Sequence, residues 1–463
     1  MRIQEIVERA LAASTADGCV VIAEESSSAN LRWASNTLTT NGVTRGRQVV
    51  VIAMVDGAQG TATGVLSLSN PDPAALDEIV AEATAAARDN EPADDAMPLI
   101  TAAQAGPAGD WAAEPMETSI GVFAAVAEAL GAAFTVAGAA NRLLFGFAQH
   151  SASTVYLGTS TGLRLRHEQP TGRLELNGKS ADYSRSAWAG AATRDFSDVD
   201  VTALDAGVTQ RLGWAQRRID LPAGRYEVVL PPSAVADLMV NAYWSTAGRD
   251  AAEGRTVFSA PGGRTRLGEK LTDLPVTLRS DPAAAGLQCC PFVVSAASDS
   301  TSSVFDNGLA VEAVDWIRDG VLTNLAHTRW SAHEFGADGP TPGADNLVMS
   351  APGASGDLTE LIGRTERGLL LTCLWYIREV DAQTLLLTGL TRDGVYLVEN
   401  GEVIGAVNNF RFNESPIDLL GRLLEVGASV PALPREWADW FTRTAMPPVR
   451  VADFNMSSVS AAT

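Results

Sequence analysis

Four histidines, His150, His167, His327 and His333, carry most of the metal chemistry open to this chain. A hydrolytic zinc site takes about three ligands from His, Cys and carboxylates and leaves one position for water. No histidine stands three, four or five residues from another, so the H-x-x-x-H and H-E-x-x-H spacings are absent. His167-Glu168 and His333-Glu334 each supply half a motif and stop. The metal set left over is dispersed: His327, His333, Glu334 and Cys373 would have to be gathered by the fold. An ordinary polar setting is the expectation for each histidine. Gly158-Thr159-Ser160-Thr161-Gly162 fits the G-x-S-x-G pattern of serine hydrolases. A nucleophile elbow needs a strand before it and a helix after it. The residues that follow, Leu163-Arg164-Leu165-Arg166, alternate as a strand does, so a hairpin turn is expected. The adjacent pair Cys289-Cys290 would point to opposite faces of a strand and chelate one ion poorly. Buried structural thiols are expected there, and likewise at Cys373 in the apolar run Leu369 to Trp375.

Composition narrows the partners. The 463 residues are 46% hydrophobic and 19% charged, which is a globular composition. Length alone suggests about two to four domains. Thirty-four basic residues against 55 acidic ones give a formal charge of −21. Nucleic acid and anionic membrane, which attract clustered Lys and Arg, are therefore not expected as partners. Glu5 and Glu8 interrupt the place where a signal peptide has its apolar region. Ile120 to Ala140 is apolar, but it is built on Ala and Gly and carries Glu128, so a buried helix is expected rather than a membrane span. Four cysteines in so long a chain are no disulfide framework, and a cytoplasmic location is expected.

The elements that would position these residues make an α+β protein, with N-terminal mixed α/β segments followed by a strand-rich C-terminal domain. The segments fall at 1–90, 108–220 and 221–463. In the first, a helix over Ile3 to Ala13 precedes strands at Cys19–Ala23, Asn30–Ala34 and Gln48–Val55, then an Asp56-Gly57 hairpin and a helix from Pro73 to Arg88. The middle segment has an apolar helix at Ile120–Ala133, strands at Leu143–Phe147, Ser153–Leu157 and Leu163–Arg166, and a helix near Ala203–Arg217. The last opens with the strand Tyr226–Leu230 and a helix N-capped near Ser233, whose apolar face is Val235, Leu238, Met239, Ala242 and Tyr243. Hairpins are expected at Asp319-Gly320 and at Asn400-Gly401, the latter as a type I′ turn, and a late helix over Pro416 to Leu424. Trp437 and Trp440 are expected to pack, and the tail from Asn455 to Thr463 to be loose.

Several of these pieces arrive in a familiar order. Asn36, then Gly46-Arg47-Gln48-Val49-Val50, then Asp56-Gly57-Ala58-Gln59-Gly60 resembles the opening of TldD/PmbA metallopeptidases. Leu221-Pro222-Ala223-Gly224-Arg225-Tyr226-Glu227-Val228-Val229-Leu230, the helix after it, and Val257-Phe258-Ser259 resemble the family's zinc-bearing segment. In the family's catalytic subunit that helix bears H-E-x-x-x-H. Here the corresponding stretch is Met239-Val240-Asn241-Ala242-Tyr243-Trp244, give or take a residue or two, and none of these is a good zinc ligand. The family takes a third ligand from a late cysteine, and Cys373 has no local match to that motif. The resemblance thus implies the non-catalytic TldE (PmbA) branch: no cofactor in this chain, zinc in a TldD-like partner, and unfolded peptide as substrate. Three other readings stand beside it: a binding or assembly protein outside proteolysis, a zinc peptidase with a dispersed site, and a serine hydrolase using Ser160.

Overall fold

The structure, a computed structural model, describes residues 1–460. Its first half rests on one antiparallel sheet: β1 (Gly18–Ala34), β2 (Thr37–Gly57), β3 (Gly60–Ser69), β4 (Arg142–Thr159), β5 (Arg164–Ser180) and β6 (Ser186–Thr193), in the order β3-β2-β1-β4-β5-β6. The two short strands expected at Cys19–Ala23 and Asn30–Ala34 are one 17-residue strand. The polar stretch between them survives because its inward residues find partners: the buried Ser27 hydroxyl accepts the N–H of Thr118. The expected strands Leu143–Phe147 and Ser153–Leu157 are likewise joined in β4, through His150. That imidazole is buried between the Thr118 hydroxyl at 2.7 Å and the Arg194 carbonyl at 2.9 Å.

Helices cover one face of this sheet. Helix α1 (Ile3–Ala13) and helix α2 (Leu76–Asp89) bury Ile6, Val7, Ile79 and Val80 against Cys19, Val21, Val49 and Val51. Helix α3 (Ala124–Ala139), entered by a 3-10 turn at Ile120–Phe123, and helix α4 (Val201–Trp214) cover Ala29, Leu31, Trp33 and Leu144. The opposite face, at Val20, Ile22, Val50 and Ile52, packs on Phe292, Val304 and Phe305 from the second half of the chain. One expectation fails here. Helix α3 buries only Val126, Leu130, Ala133 and Ala137, while Ile120 and Val136 are 51% and 59% exposed. Alanine and glycine make it apolar on every side, but the sheet covers only one flank.

The second half holds a ten-stranded mixed sheet and a six-stranded one, with the largest core between them. The strand Gly224–Leu230 lies in the ten-stranded sheet between Val449–Val459 and Arg367–Leu371. Asn400 and Gly401 adopt φ of 52° and 79°, the two positive values a type I′ turn requires. Residues 455–459, expected to be loose, belong to the Val449–Val459 strand, where Met456 is buried; residues 461–463 of that tail lie outside the described residues. Trp437 packs on the core as expected, whereas Trp440 is 77% exposed.

Candidate functional site

The stretch Met239–Trp244, which the resemblance sets against the family's zinc helix, lies in the larger core except at its end, where Trp244 is 43% exposed. Helix α5 (Pro232–Trp244) begins two residues earlier than a Ser233 cap would place it, because Pro232 fits the first helical position with its φ preset and its missing N–H unneeded. Met239, Val240 and Ala242 are fully enclosed by apolar neighbours. Asn241 turns back and donates to the Asp237 carbonyl at 2.8 Å. Tyr243 donates its hydroxyl to the Ala344 carbonyl at 2.8 Å, with its ring 5.3 Å from Trp316 and 5.8 Å from Phe441. Trp244 meets Trp437 edge-to-face at 5.1 Å. These residues do not fit a zinc ion: the volume holds aromatic carbon, and the polar atoms of Asn241 and Tyr243 are spent on backbone carbonyls.

One ionisable residue on this helix was not singled out by its spacing. Asp237 lies one turn before Asn241 and is wholly inaccessible. Its Oδ1 accepts the N–H of Glu436 at 2.8 Å, its carbonyl also takes the Trp437 indole N–H at 2.9 Å, and its Oδ2 accepts no hydrogen bond among the described residues. Burial pushes this carboxyl well above the usual carboxylate range, against the pull of the Glu436 and Arg435 N–H groups. The signal in the sequence was an aspartate in an otherwise apolar helical run. Asp237 thereby fixes the segment Arg435–Phe441 across the end of α5.

Glu436 continues the chain of contacts. Its carboxylate accepts the N–H of Tyr376 at 3.0 Å and of Ile377 at 3.1 Å, on the outer side of the strand Leu374–Asp381. That strand ends the ten-stranded sheet, with the Leu386–Thr391 strand on its inner side. Beyond Ile377, no strand of the described residues lies on the outer side, and Arg378 to Asp381 are exposed. Tyr376 and Val380 stand 58% and 59% exposed there. The site offers backbone pairing and aromatic contact.

The dispersed metal candidates are not brought together. Among the described residues, no group of three or more His, Cys, Asp or Glu side chains is placed to hold a metal ion. His327 is buried against Gly248, with Nδ1 at 3.2 Å from the Ser331 hydroxyl. His333 and Glu334 lie exposed on the helix Arg329–Phe335. Cys373 is buried between two strands, not inside one as expected, and burial pushes its thiol far up. Cys289 is buried and Cys290 half-buried, and desolvation raises them to about 11 and about 12. Ser160 sits in the turn between β4 and β5, where its hydroxyl accepts the Cys19 N–H at 3.0 Å; a strand, not a helix, follows.

Two models of one metallopeptidase family match the chain. The model "PmbA/TldA metallopeptidase C-terminal domain" matches residues 223–458, and "PmbA/TldA metallopeptidase domain 1" matches residues 19–87. The chain belongs to the TldD/PmbA metallopeptidase family. Comparison with curated proteins gives no match. Among solved structures the chain is similar to TldE from Thermococcus kodakarensis, with 17% identity, TM-score 0.77, and 98% of this chain and 99% of that one covered. It is also similar to two proteins described as candidate modulators of DNA gyrase. The one from Bacteroides thetaiotaomicron has 16% identity and TM-score 0.76, covering 99% of this chain and 98% of that one. The one from Thermotoga maritima has 17% identity and TM-score 0.75, covering 98% and 99%.

Proposed function

We propose that this chain is a non-catalytic, TldE-like subunit of a TldD/E-type metallopeptidase, shaping the channel through which unfolded peptide reaches the zinc of a TldD-like partner. What supports the reading is α5: the resemblance sets Met239-Val240-Asn241-Ala242-Tyr243-Trp244 against the family's H-E-x-x-x-H, give or take a residue or two, and none of the six is a good zinc ligand. The edge of the Leu374–Asp381 strand supports a guiding role, since an extended peptide pairs through its backbone with an open edge whatever its sequence. Four free cysteines are in keeping with a cytoplasmic setting.

The test is the zinc content of the purified chain after extensive dialysis, measured by elemental mass spectrometry, together with peptidase assays with and without a zinc-bearing relative. Background zinc, no activity alone, and activity only in the mixture are expected. About one zinc per chain would sink the reading. Val380→Pro is then expected to weaken peptide binding while leaving the circular dichroism spectrum unchanged, because Pro removes an edge N–H.

A further inference from the structure

A cavity lies where the two halves of the chain meet, lined by none of the residues of α5. Its volume is about 160 Å³, the share of about five water molecules in the liquid. The floor belongs to the ten-stranded sheet. There Arg218, Ala406 and Tyr396 stand in register on the adjacent strands Arg218–Ile219, Glu402–Val407 and Val395–Glu399. Residues in register share a face of the sheet. Between the long side chains of Arg218 and Tyr396 the row holds only the methyl of Ala406, so the face is hollow at that point.

The roof comes from the first half. The turn between β5 and β6 supplies Arg185 and Ser186. Asp182 braces that turn by accepting the Ser180 hydroxyl at 2.6 Å and the Ser184 hydroxyl at 2.8 Å. Arg185 donates to the Leu212 carbonyl at 3.0 Å in the last turn of α4, and Trp214 of that helix meets the Tyr396 ring at 5.3 Å. Floor and roof are thus fixed to each other.

The polar groups of the cavity are not balanced among themselves. Tyr396 lines it and is 1% exposed, yet its hydroxyl has no hydrogen-bond partner among the described residues. Buried hydroxyls are rarely left so, because nothing then replaces the lost water. Among the described residues the exposed Arg218 guanidinium has no partner, and Arg185 pairs with no carboxylate. Asp393 also lines the cavity and takes the Ser186 hydroxyl proton. Two guanidinium groups and a phenol suit an oxyanion, whereas Asp393 suits a cation. A zwitterion is matched at both charges; a dianion such as phosphate meets Asp393 as a like charge.

We infer that this cavity binds a free amino acid with a small aliphatic side chain, its carboxylate on Arg218 and the Tyr396 hydroxyl and its ammonium toward Asp393. A guanidinium fork fits a carboxylate through two parallel hydrogen bonds. Val395 and Val407 give the side chain an apolar wall. Size sets the upper limit: pockets for drug-sized ligands run to about 300–1,000 Å³, and this one has room for an alanine but not for an aromatic amino acid.

The site does not depend on the peptidase reading, and its test uses this chain alone. Isothermal titration with L-alanine is expected to show a single site, with acetate, methylammonium and inorganic phosphate each weaker by about 10-fold or more. Tyr396→Phe keeps the ring against Trp214 and removes only the hydroxyl. It is expected to weaken L-alanine binding about 10-fold while the urea midpoint stays level or rises, since that hydroxyl bonds to nothing in the free protein. Arg218→Gln, at an exposed position, is expected to weaken it about 100-fold. Arg217→Gln, next to it but not lining the cavity, should leave binding intact and guards against a general effect of lost charge. No binding of L-alanine at about 10 mM overturns the inference. So does acetate or phosphate binding as tightly as L-alanine, or an affinity that tolerates both Tyr396→Phe and Arg218→Gln.

Discussion

Helices α3 and α5 read almost alike in sequence, both apolar runs with one acid in them, yet their fates differ. Nine of the 13 residues of α5 are buried between two sheets, and its acid, Asp237, is sealed in. Only four of the 16 residues of α3 are buried, and its acid, Glu128, faces solvent. An apolar helix has to be covered by something. For α5 the cover comes from its own chain, with Tyr243, Trp316, Phe441 and Trp437 interlocked around it. For α3 one flank stays exposed.

The largest effect that distinguishes the two helices is cavity formation. Leu238→Ala in α5 is expected to lower stability by about 2–5 kcal/mol, read as a drop in the urea midpoint. A shift within the range of surface substitutions would mean that the core of α5 is loosely packed. Gly248→Ala probes the turn after α5, where an added Cβ would stand 2.1 Å from a ring atom of His327. The buried ring has little room to yield, and a loss of about 1–3 kcal/mol is expected from overpacking. A neutral result would show that His327 can move aside.

The third expectation is a pH dependence. The Asp237 carboxyl is raised in the folded state by burial, so the native chain holds a proton that the unfolded chain releases. Its contribution is fully present below the unfolded value of about 3.9 and is lost as pH rises toward the folded one. Asp237→Asn keeps an oxygen for the Glu436 N–H and removes the titration. Urea midpoints of the native chain should therefore fall with rising pH relative to those of this variant. Parallel profiles would show that Asp237 is ionised in place. The smallest effect belongs to α3: Val136→Ala, at 59% exposure, should change the stability of the monomer by no more than about 0.5 kcal/mol. A larger loss would show that this flank is packed rather than exposed.

Much of the fold was legible from local signals. Asp319-Gly320 and Asn400-Gly401 each close a hairpin, because the backbone conformations these turns need are open to few residue types. The turn expected at Asp56-Gly57 falls instead at Ala58-Gln59, with Asp56 and Gly57 still paired at the end of β2. Proline and apolar periodicity placed α5 to within a residue or two. The chemistry missing from Met239 to Trp244 was equally plain, since ligand identity is a property of the residues themselves. Long strands were harder to read. Ser27 and His150 look like interruptions until the segment at Thr118 and Arg194 arrives to bond them.

By itself, then, the sequence determined most of the order of the elements, several of the turns between them, the acidic charge and the lack of His, Cys, Asp or Glu from Met239 to Trp244. These rest on the conformational and chemical preferences of single residues and near neighbours. Only the tertiary structure decided that Asp237 is sealed against the Arg435–Phe441 segment, some two hundred residues away along the chain. It alone decided that Glu436 occupies one part of the Leu374–Asp381 edge and leaves the rest open, and that α3 is covered on one side only. Burial is a relation between distant segments, and a hydrophobic residue carries no mark of which segment, or which molecule, will cover it.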